Sequence, residues 1–245
     1  MKGVALFVPC LIDQFLPEIG FAVVKVLQKL GVEFTYDQRQ TCCGQPLVNA
    51  GDSAGARRVA KRFISIFEKS DYIVAPSGSC IHTVKEQYLR LLADDPKWYQ
   101  RAEKVSERAY EFTQFLVQVL GVEEVGYRYE GKACYHESCS ILRQLGISDE
   151  PKQLLNNVAG LEMNPLKDAD ICCGFGGEFA INYPYISEEI VREKVKNFQD
   201  ADADILVLGE PGCLLNIRGY LTRHGMSGQV RHIAEILAGQ EGVQA

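Results

Sequence analysis

Four segments of the chain are apolar almost throughout, and each leads directly to a cysteine. Strands that are apolar throughout, and do not alternate with polar residues, are typical of parallel sheets covered on both faces. The pattern predicts four buried strands, two in each half of the chain, each ending just before a cysteine. These segments are VALFVPC (4–10), YIVAPSGSC (72–80), ACYHESC (133–139) and ILVLGEPGC (205–213).

Helical periodicity lies between these strands, because apolar residues recur at positions that share one face of a helix. Alternating strands and helices predict an α/β fold of two repeated Rossmann-like halves with mostly parallel sheets. The cysteines would then lie at the carboxyl ends of the strands, where open α/β sheets keep their functional crevice. The predicted helical faces are Leu16, Val23, Val24 and Leu27; Val59, Phe63, Ile66 and Phe67; and Val191, Val195 and Phe198.

The repeat is interrupted in the middle of the chain, where ADDPKWYQ (93–100) breaks the pattern. We therefore predict a first repeat over 1–92, a connecting helical segment over 93–130 and a second repeat over 131–245. QLLNNVAGLEM (153–163) predicts a short helix and a turn. The connecting segment is predicted to carry one apolar helical face that packs between the halves, with an interface for a partner subunit as the alternative. This face is formed by Val105, Ala109, Phe112, Leu116 and Val119.

Eight of the nine cysteines form two copies of one pattern. Each copy has a cysteine, a Cys-Cys-Gly triplet 32 or 33 residues later, and a last cysteine 38 or 41 residues after the first of the pair. Two matching long spacings indicate an internal repeat. The copies are Cys10, Cys42, Cys43 and Cys80, and Cys139, Cys172, Cys173 and Cys213. The ninth, Cys134, aligns with Ala5 inside a strand and is predicted to fill the core.

Composition and charge narrow the function. The net charge of −6, with no run of lysine or arginine, excludes nucleic acid as an expected partner. The first residues lack a secretory signal, and no stretch approaches the ~18–20 apolar residues of a membrane span. We therefore predict a cytoplasmic protein without a membrane span. Thiols stay reduced in that compartment, so nine cysteines indicate metal or redox chemistry more than disulfides.

Four thiolates per half suit an iron–sulfur cluster, which normally takes about four cysteine ligands. Gly44 and Gly174 follow the cysteine pairs and permit the turn that directs both sulfurs inward, so they are predicted to support the ligands. No C-x2-C motif is present, which weakens a zinc-ribbon interpretation. Four thiolates also hold zinc tetrahedrally, so zinc and metal-free thiol chemistry stay open as alternatives.

The histidines offer fewer candidates. His136, three residues before Cys139, is predicted to support the ligands or carry protons near the centre, with a buried structural histidine as the alternative. His82 follows Cys80 and has the same two interpretations. His224 and His232 are predicted to be surface or structural residues. Arg143 is predicted to lie on a helix surface, although binding a carboxylate substrate is an alternative.

Several longer strings around these cysteines resemble the cysteine-rich CCG-domain family over essentially the whole chain. That family includes a cysteine-rich subunit of heterodisulfide reductase and the C-terminal parts of iron–sulfur subunits of glycolate and glycerol-3-phosphate dehydrogenases. The strings are CCGQPLVNAG (42–51), PSGSC (76–80), HESC (136–139), RQLG (143–146), CCGFGGEF (172–179) and CLLNI (213–217).

The resemblance implies an iron–sulfur electron-transfer subunit of a three-protein complex that oxidises L-lactate to pyruvate. It implies one or two 4Fe-4S clusters held by the eight repeated cysteines. The implied partners are a ferredoxin-type iron–sulfur subunit and a third lactate-utilization subunit. The alternatives are a disulfide reductase subunit similar to that of heterodisulfide reductase, and a zinc-binding scaffold.

This chain also departs from the family pattern. In heterodisulfide reductase the repeats hold noncubane clusters with a fifth cysteine, and the matching positions here are Ser77 and Glu210. The second half has more glycines after its cysteine pair and a histidine upstream. If only one half holds a redox cluster, we expect it in the second half, with zinc or a vacant site in the first.

Overall fold

Two four-stranded parallel sheets, one in each half of the chain, form the centre of the molecule. The computed structural model describes residues 3–240, so the predicted domain limits at 1 and 245 lie outside the described residues. The strand orders are β2-β1-β3-β4 and β6-β5-β7-β8, which are the same order shifted by four strands. Every pairing is parallel. The predicted fold class is therefore confirmed.

The four strands predicted from the apolar runs are the two inner strands of each sheet. The four outer strands were not predicted, because they are short or partly exposed and carry no continuous apolar run. The first sheet contains β1 (Val4–Leu6), β2 (Phe34–Thr35), β3 (Tyr72–Ala75) and β4 (Ala109–Glu111). The second contains β5 (Arg128–His136), β6 (Ala159–Met163), β7 (Ile205–Leu208) and β8 (Gln229–His232).

Helices cover both sheets, and the three predicted amphipathic faces belong to three of the longest. Those helices are α2 (Pro17–Lys29), α4 (Ser53–Phe67) and α11 (Pro184–Gln199). Within residues 3–240, no helix is both long and apolar enough to cross a membrane. The other helices of the first half are α1 (Cys10–Phe15), α3 (Gln45–Asn49), α5 (Gly78–His82), α6 (Tyr88–Leu91), α7 (Pro96–Ser106) and α8 (Phe112–Gln114).

The second half contributes α9 (Asp149–Asn156), α10 (Glu178–Asn182), α12 (Pro211–Arg223) and α13 (Ile233–Leu237). Three π-helical turns complete the set, at Thr83–Gln87, Phe115–Val119 and Ser140–Gln144. The first of them joins α5 to α6 in one continuous helical segment.

The prediction of one helix through residues 105–119 was wrong. The chain leaves α7 at Ser106, forms β4 at the edge of the first sheet, and then enters α8. The apolar spacing misled the prediction because Ala109 is buried from a strand and not from a helix. Phe115 and Leu116 do lie in a core shared with the second half. The predicted turn after α9 is likewise the strand β6.

The first sheet separates two apolar cores. Val4 and Leu6 on β1 face a core shared by both halves, in which α2 also packs against α13. Ala5 and Phe7 point the other way, into a core whose buried members all come from the first half. This alternation follows from the two-residue period of a strand. The shared core holds the two repeats together as neighbours.

We predict that Phe7→Ala lowers the free energy of unfolding by about 3–5 kcal/mol, the usual range for truncating a buried phenylalanine. Phe7 is fully buried and its ring centroid lies 4.9 Å from that of Phe63. Chemical denaturation would measure the change. Phe21→Ala is the control, because Phe21 is 73% exposed and should shift stability by less than about 0.5 kcal/mol. Equal losses in both variants would contradict the assignment of this core.

Glu111 makes stability depend on pH. Its carboxylate lies fully buried at the end of β4 and accepts hydrogen bonds from the backbone N–H groups of Thr113 and Gln114 and from the Thr113 hydroxyl. Burial raises the pKa of Glu111 to about 7. The folded state therefore holds a proton that the unfolded state has already lost, so stability falls as pH rises from about 4.5 to 7.

We predict that this loss reaches about 3 kcal/mol in the wild-type protein and is absent in Glu111→Gln, which keeps an acceptor for the same donors. Unfolding free energies measured between pH 4 and 8 would give the difference between the two proteins. A difference that does not change across this range would show that folding leaves the pKa of Glu111 unshifted.

Candidate metal centre

Each half brings its four repeated cysteines to the carboxyl edge of its sheet. In the first half, Cys10 begins the helix that follows β1, and Cys80 lies in the helix that follows β3. The pair Cys42-Cys43 lies in the loop before α3. The second half repeats the arrangement with Cys139 after β5, Cys213 in α12 after β7, and Cys172-Cys173 in the loop before α10.

The four repeated cysteines of the first half form a first cysteine cluster, in which sulfur atoms contact one another without forming disulfides. The Sγ atoms of Cys43 and Cys80 lie 3.3 Å apart, and both side chains are buried. The Cys10 thiol contacts Cys42, whose sulfur also accepts a hydrogen bond from the backbone N–H of Gly44 at 3.3 Å. Gly44 has a φ of 90°, in the left-handed region that favours glycine. This conformation forms the turn that follows the cysteine pair.

Proton sharing within this cluster leaves one sulfur charged. The pKa of Cys42 falls to about 3, because Cys10, Cys43 and the Gly44 N–H donate hydrogen bonds to its sulfur. The pKa of Cys10 rises, chiefly because its thiol donates to Cys42 and is partly buried. The pKa of Cys43 rises well above its ordinary value, because its thiol is hydrogen-bonded to Cys42 and Cys80 and is buried. A cation is needed to ionise the Cys10 and Cys43 thiols, which is what a metal ion supplies.

The second cluster has the same layout with tighter packing around its glycine. The Sγ atoms of Cys173 and Cys213 lie 2.8 Å apart, and the Gly174 N–H donates to the Cys172 sulfur at 3.3 Å. Ser187 Oγ donates to the Gly174 carbonyl at 2.8 Å. Cys172 is exposed, while Cys173 and Cys213 are buried. Burial raises the pKa of Cys139, and the neighbouring Cys172 raises it further.

His136 is buried beside the second cluster. A ring nitrogen of His136 and the sulfurs of Cys173 and Cys213 all lie within 4.8 Å of one another. Its Nδ1 lies 3.1 Å from the Ala169 carbonyl, and its Nε2 has no hydrogen-bond partner among the described residues. Burial lowers the pKa of His136 to about 3, so the ring is neutral. The structure thus places His136 beside two of the repeated cysteines of the second half.

A buried carboxylate joins the two halves between the clusters. Glu210 accepts hydrogen bonds from the backbone N–H and the hydroxyl of Ser79, both at 2.9 Å, and from Ser140 Oγ at 3.0 Å. Ser77 donates a longer one at 3.3 Å. Burial raises the pKa of Glu210 above its ordinary value. Ser77 and Glu210 are the two departures from the family pattern, and a hydrogen bond joins them in the structure.

The sequence interpretation did not identify Lys194, a buried lysine beside the second cluster. Its side chain lies on α11 and is fully buried, and Nζ donates to the carbonyls of Asp168 and Ala169 at 2.7 and 3.0 Å. Burial lowers its pKa below the ordinary lysine value. A lysine on an amphipathic helix is normally a solvent-facing residue. Lys194 stands three residues after Val191 and four before Phe198, so its position on the predicted apolar face is the signal that could have identified it.

The other predicted residues fall outside the clusters. Cys134 is fully buried in the shared core, which confirms its prediction as core filler, and burial raises its pKa to about 12. His224 pairs with Glu188 at the surface. His232 is a buried structural residue whose Nδ1 accepts from the Ala234 N–H at the start of α13. Arg143 is exposed, as predicted, and donates to the Asp170 carbonyl. His82 is half-buried on α5.

The fold and these clusters define a class of protein: a duplicated α/β protein with four cysteines at the carboxyl edge of each sheet. The family model named CCG, described as a cysteine-rich domain, matches residues 4–85 and 133–218. The chain therefore belongs to the CCG family of cysteine-rich domain proteins.

Curated relatives match almost the full length. Lactate utilization protein A of Bacillus velezensis is 46% identical over 234 residues, covering 96% of this chain and 98% of the relative. The protein of the same name from Anoxybacillus flavithermus is 47% identical over 235 residues, with the same coverage of both chains.

A solved structure shares the fold alone. The crystal structure of a hypothetical protein from Helicobacter pylori aligns with a TM-score of 0.66 at 10% identity. The alignment covers all of this chain and half of that one.

We predict that Gly174→Ala destabilises the protein by more than about 3 kcal/mol, since it adds a clash to backbone strain. Gly174 has a φ of 82°, and an added Cβ would lie 2.6 Å from the Ser187 carbonyl oxygen. Gly146→Ala is the matched control, because its φ is 68° and nothing lies within 4 Å of the added carbon. In chemical denaturation the control should lose only about 1–2 kcal/mol of stability, because it adds backbone strain without a clash. Similar losses in both would mean that the loop around Gly174 adapts freely.

Proposed function

We propose that the chain is the iron–sulfur electron-transfer subunit of a complex that oxidises L-lactate to pyruvate. The observation that carries the proposal is the convergence of four cysteines at the carboxyl edge of each sheet. The printed name of the relatives, Lactate utilization protein A, supports the lactate part. Iron–sulfur clusters supply one-electron chemistry at such thiolate sets.

The donor set fits a cluster of the 4Fe-4S type. Cysteine thiolates are the ligands that iron–sulfur clusters take, and four are available in each half. Within each cluster the cysteines contact one another through their sulfur atoms. Thiolate sulfur is a soft ligand, which suits an iron–sulfur cluster. The proposed ligands are Cys10, Cys42, Cys43 and Cys80 in the first half, and Cys139, Cys172, Cys173 and Cys213 in the second.

Different residues of the chain would shape the loops around each centre, exclude water from it and leave one side of it exposed. Gly44 and Gly174 hold the turns that direct the paired sulfurs inward. The buried cysteines exclude water from one side of each cluster. Cys10, Cys42 and Cys139 are partly exposed and Cys172 is exposed, so the other side is open to an electron-transfer partner.

The proposal includes partners, because the family resemblance implies a complex of three proteins. We propose a ferredoxin-type iron–sulfur subunit and a third lactate-utilization subunit as those partners, in the cytoplasm. The division into repeats at 1–92 and 131–245 with a connecting segment at 93–130 belongs to the same proposal. The second half is the preferred redox centre, with zinc or a vacant site as the alternative in the first.

We predict that the wild-type protein, purified without oxygen, contains iron and acid-labile sulfide and gives an electron paramagnetic resonance signal when reduced. Cys43→Ser and Cys173→Ser should each lose the iron of one half, because a hydroxyl is a poor substitute for a thiolate ligand. Elemental analysis of iron, sulfide and zinc would measure this. Cys134→Ala is the control, since Cys134 is a buried residue inside β5 and is not one of the eight repeated cysteines.

Full iron content in both serine variants would overturn the ligand assignment. A colourless protein that holds zinc without iron or sulfide would establish the scaffold alternative. Turnover of a small disulfide by the pure protein with a reduced dye would favour the disulfide reductase alternative.

A further inference from the structure

His136 ends the central strand of the second sheet and points its ring into the cysteine cluster. It is the last residue of β5, opposite Leu208 at the end of β7, and is 1% exposed. The same edge carries Cys213, in the helix that follows β7. Within residues 3–240, the trio of His136, Cys173 and Cys213 is the one group of three ligand atoms this close together.

The hydrogen bonds of the ring assign its free nitrogen. The Ala169 carbonyl, 3.1 Å from Nδ1, is able only to accept, so Nδ1 carries the proton and donates. The same carbonyl accepts from Lys194 Nζ at 3.0 Å, which holds it in place. Nε2 of the neutral ring then presents a lone pair. Histidines that bind metals typically donate their other N–H to a backbone carbonyl in this way.

Nε2 is a buried acceptor without a partner. No hydrogen bond reaches it within the described part of the chain. Leaving a buried polar atom unpaired is energetically unfavourable, so such an atom needs an explanation. The sulfurs of Cys173 and Cys213 lie within 4.8 Å of a nitrogen of this ring, and thiols are weak donors that do not offset this cost. A metal ion beside those sulfurs would bind the lone pair.

In the first half, the position equivalent to His136 holds no nitrogen donor. Phe7 stands three residues before Cys10, as His136 stands three before Cys139. The Phe7 ring packs against Phe63 and Phe67 in the first-half core. His232, the other fully buried histidine of the second half, uses its Nδ1 to cap α13. The nitrogen donor is therefore specific to the second cluster.

We propose that Nε2 of His136 is a direct ligand of the metal centre in the second half, beside the thiolates of Cys173 and Cys213. This inference rests on the proposed function, because it takes the metal centre to be an iron–sulfur cluster. A neutral imidazole brings no negative charge, so it raises the reduction potential of a cluster relative to a thiolate in the same position. The two halves would then hold centres of different potential on one repeated backbone.

The test uses the full chain purified without oxygen, grown with either [14N]- or [15N]-histidine. Electron spin-echo envelope modulation of the reduced cluster detects nitrogen bound to iron. We expect a nitrogen coupling that changes with the histidine isotope and disappears in His136→Phe, the residue of the first half. His232→Asn, which keeps an acceptor for the Ala234 N–H, is the matched control and should retain the coupling.

A second variant separates ligation from packing. His136→Cys should keep the iron content, lose the nitrogen coupling and lower the midpoint potential of the second cluster in a redox titration followed by electron paramagnetic resonance. If His136→Phe does not fold, the isotope comparison in the wild type and the cysteine variant decide the question.

The results distinguish a failure of this inference from a failure of the proposed function. A cluster signal without any coupling that depends on the histidine isotope overturns the inference and leaves the proposed function standing. The same holds if His136→Phe retains the coupling. A wild-type protein without iron overturns the proposed function and this inference with it.

Discussion

The arrangement of the molecule depends on one buried carboxylate shared by two sheets. Glu210 belongs to the second half, yet both atoms that donate to it from Ser79 belong to the first. A buried carboxylate is tolerated only when its oxygens are satisfied, so the two halves are held in one relative position. Ser79 precedes Cys80 and Ser140 follows Cys139. The hydrogen bonds that join the halves thus also position a cysteine of each cluster.

Duplication has produced two similar backbones with different chemistry. Each sheet has the same strand order, and each cysteine pair is followed by a glycine with positive φ. The surroundings of the two clusters differ because single residues differ: the first half has Phe7 at the position where the second half has His136. Lys194 adds a buried ammonium group beside the second cluster. Since local charge and ligand type set the potential of a metal centre, one fold is able to hold two unlike centres.

Sequence interpretation succeeded where a pattern had one physical cause. The inner strands were found because full burial on both faces requires continuous apolar runs, and β7 is buried along its whole length. The edge strand β6 is mostly exposed and carries no such run, so it was taken for a turn. The segment through Ala109 misled the interpretation, because an apolar spacing of three and four residues also arises when a helix, a strand and a second helix each bury a side chain.

By itself, the sequence determined the duplication, the α/β class and the eight cysteines, because long spacings and apolar runs are properties of the chain alone. Only the tertiary structure decided what surrounds those cysteines. Ser77 and Glu210 are 133 residues apart, and Lys194 and Ala169 are 25 apart, and no local pattern reports such pairs. Their contacts arise when two sheets and their helices pack, since burial selects partners for polar groups from whichever elements meet there.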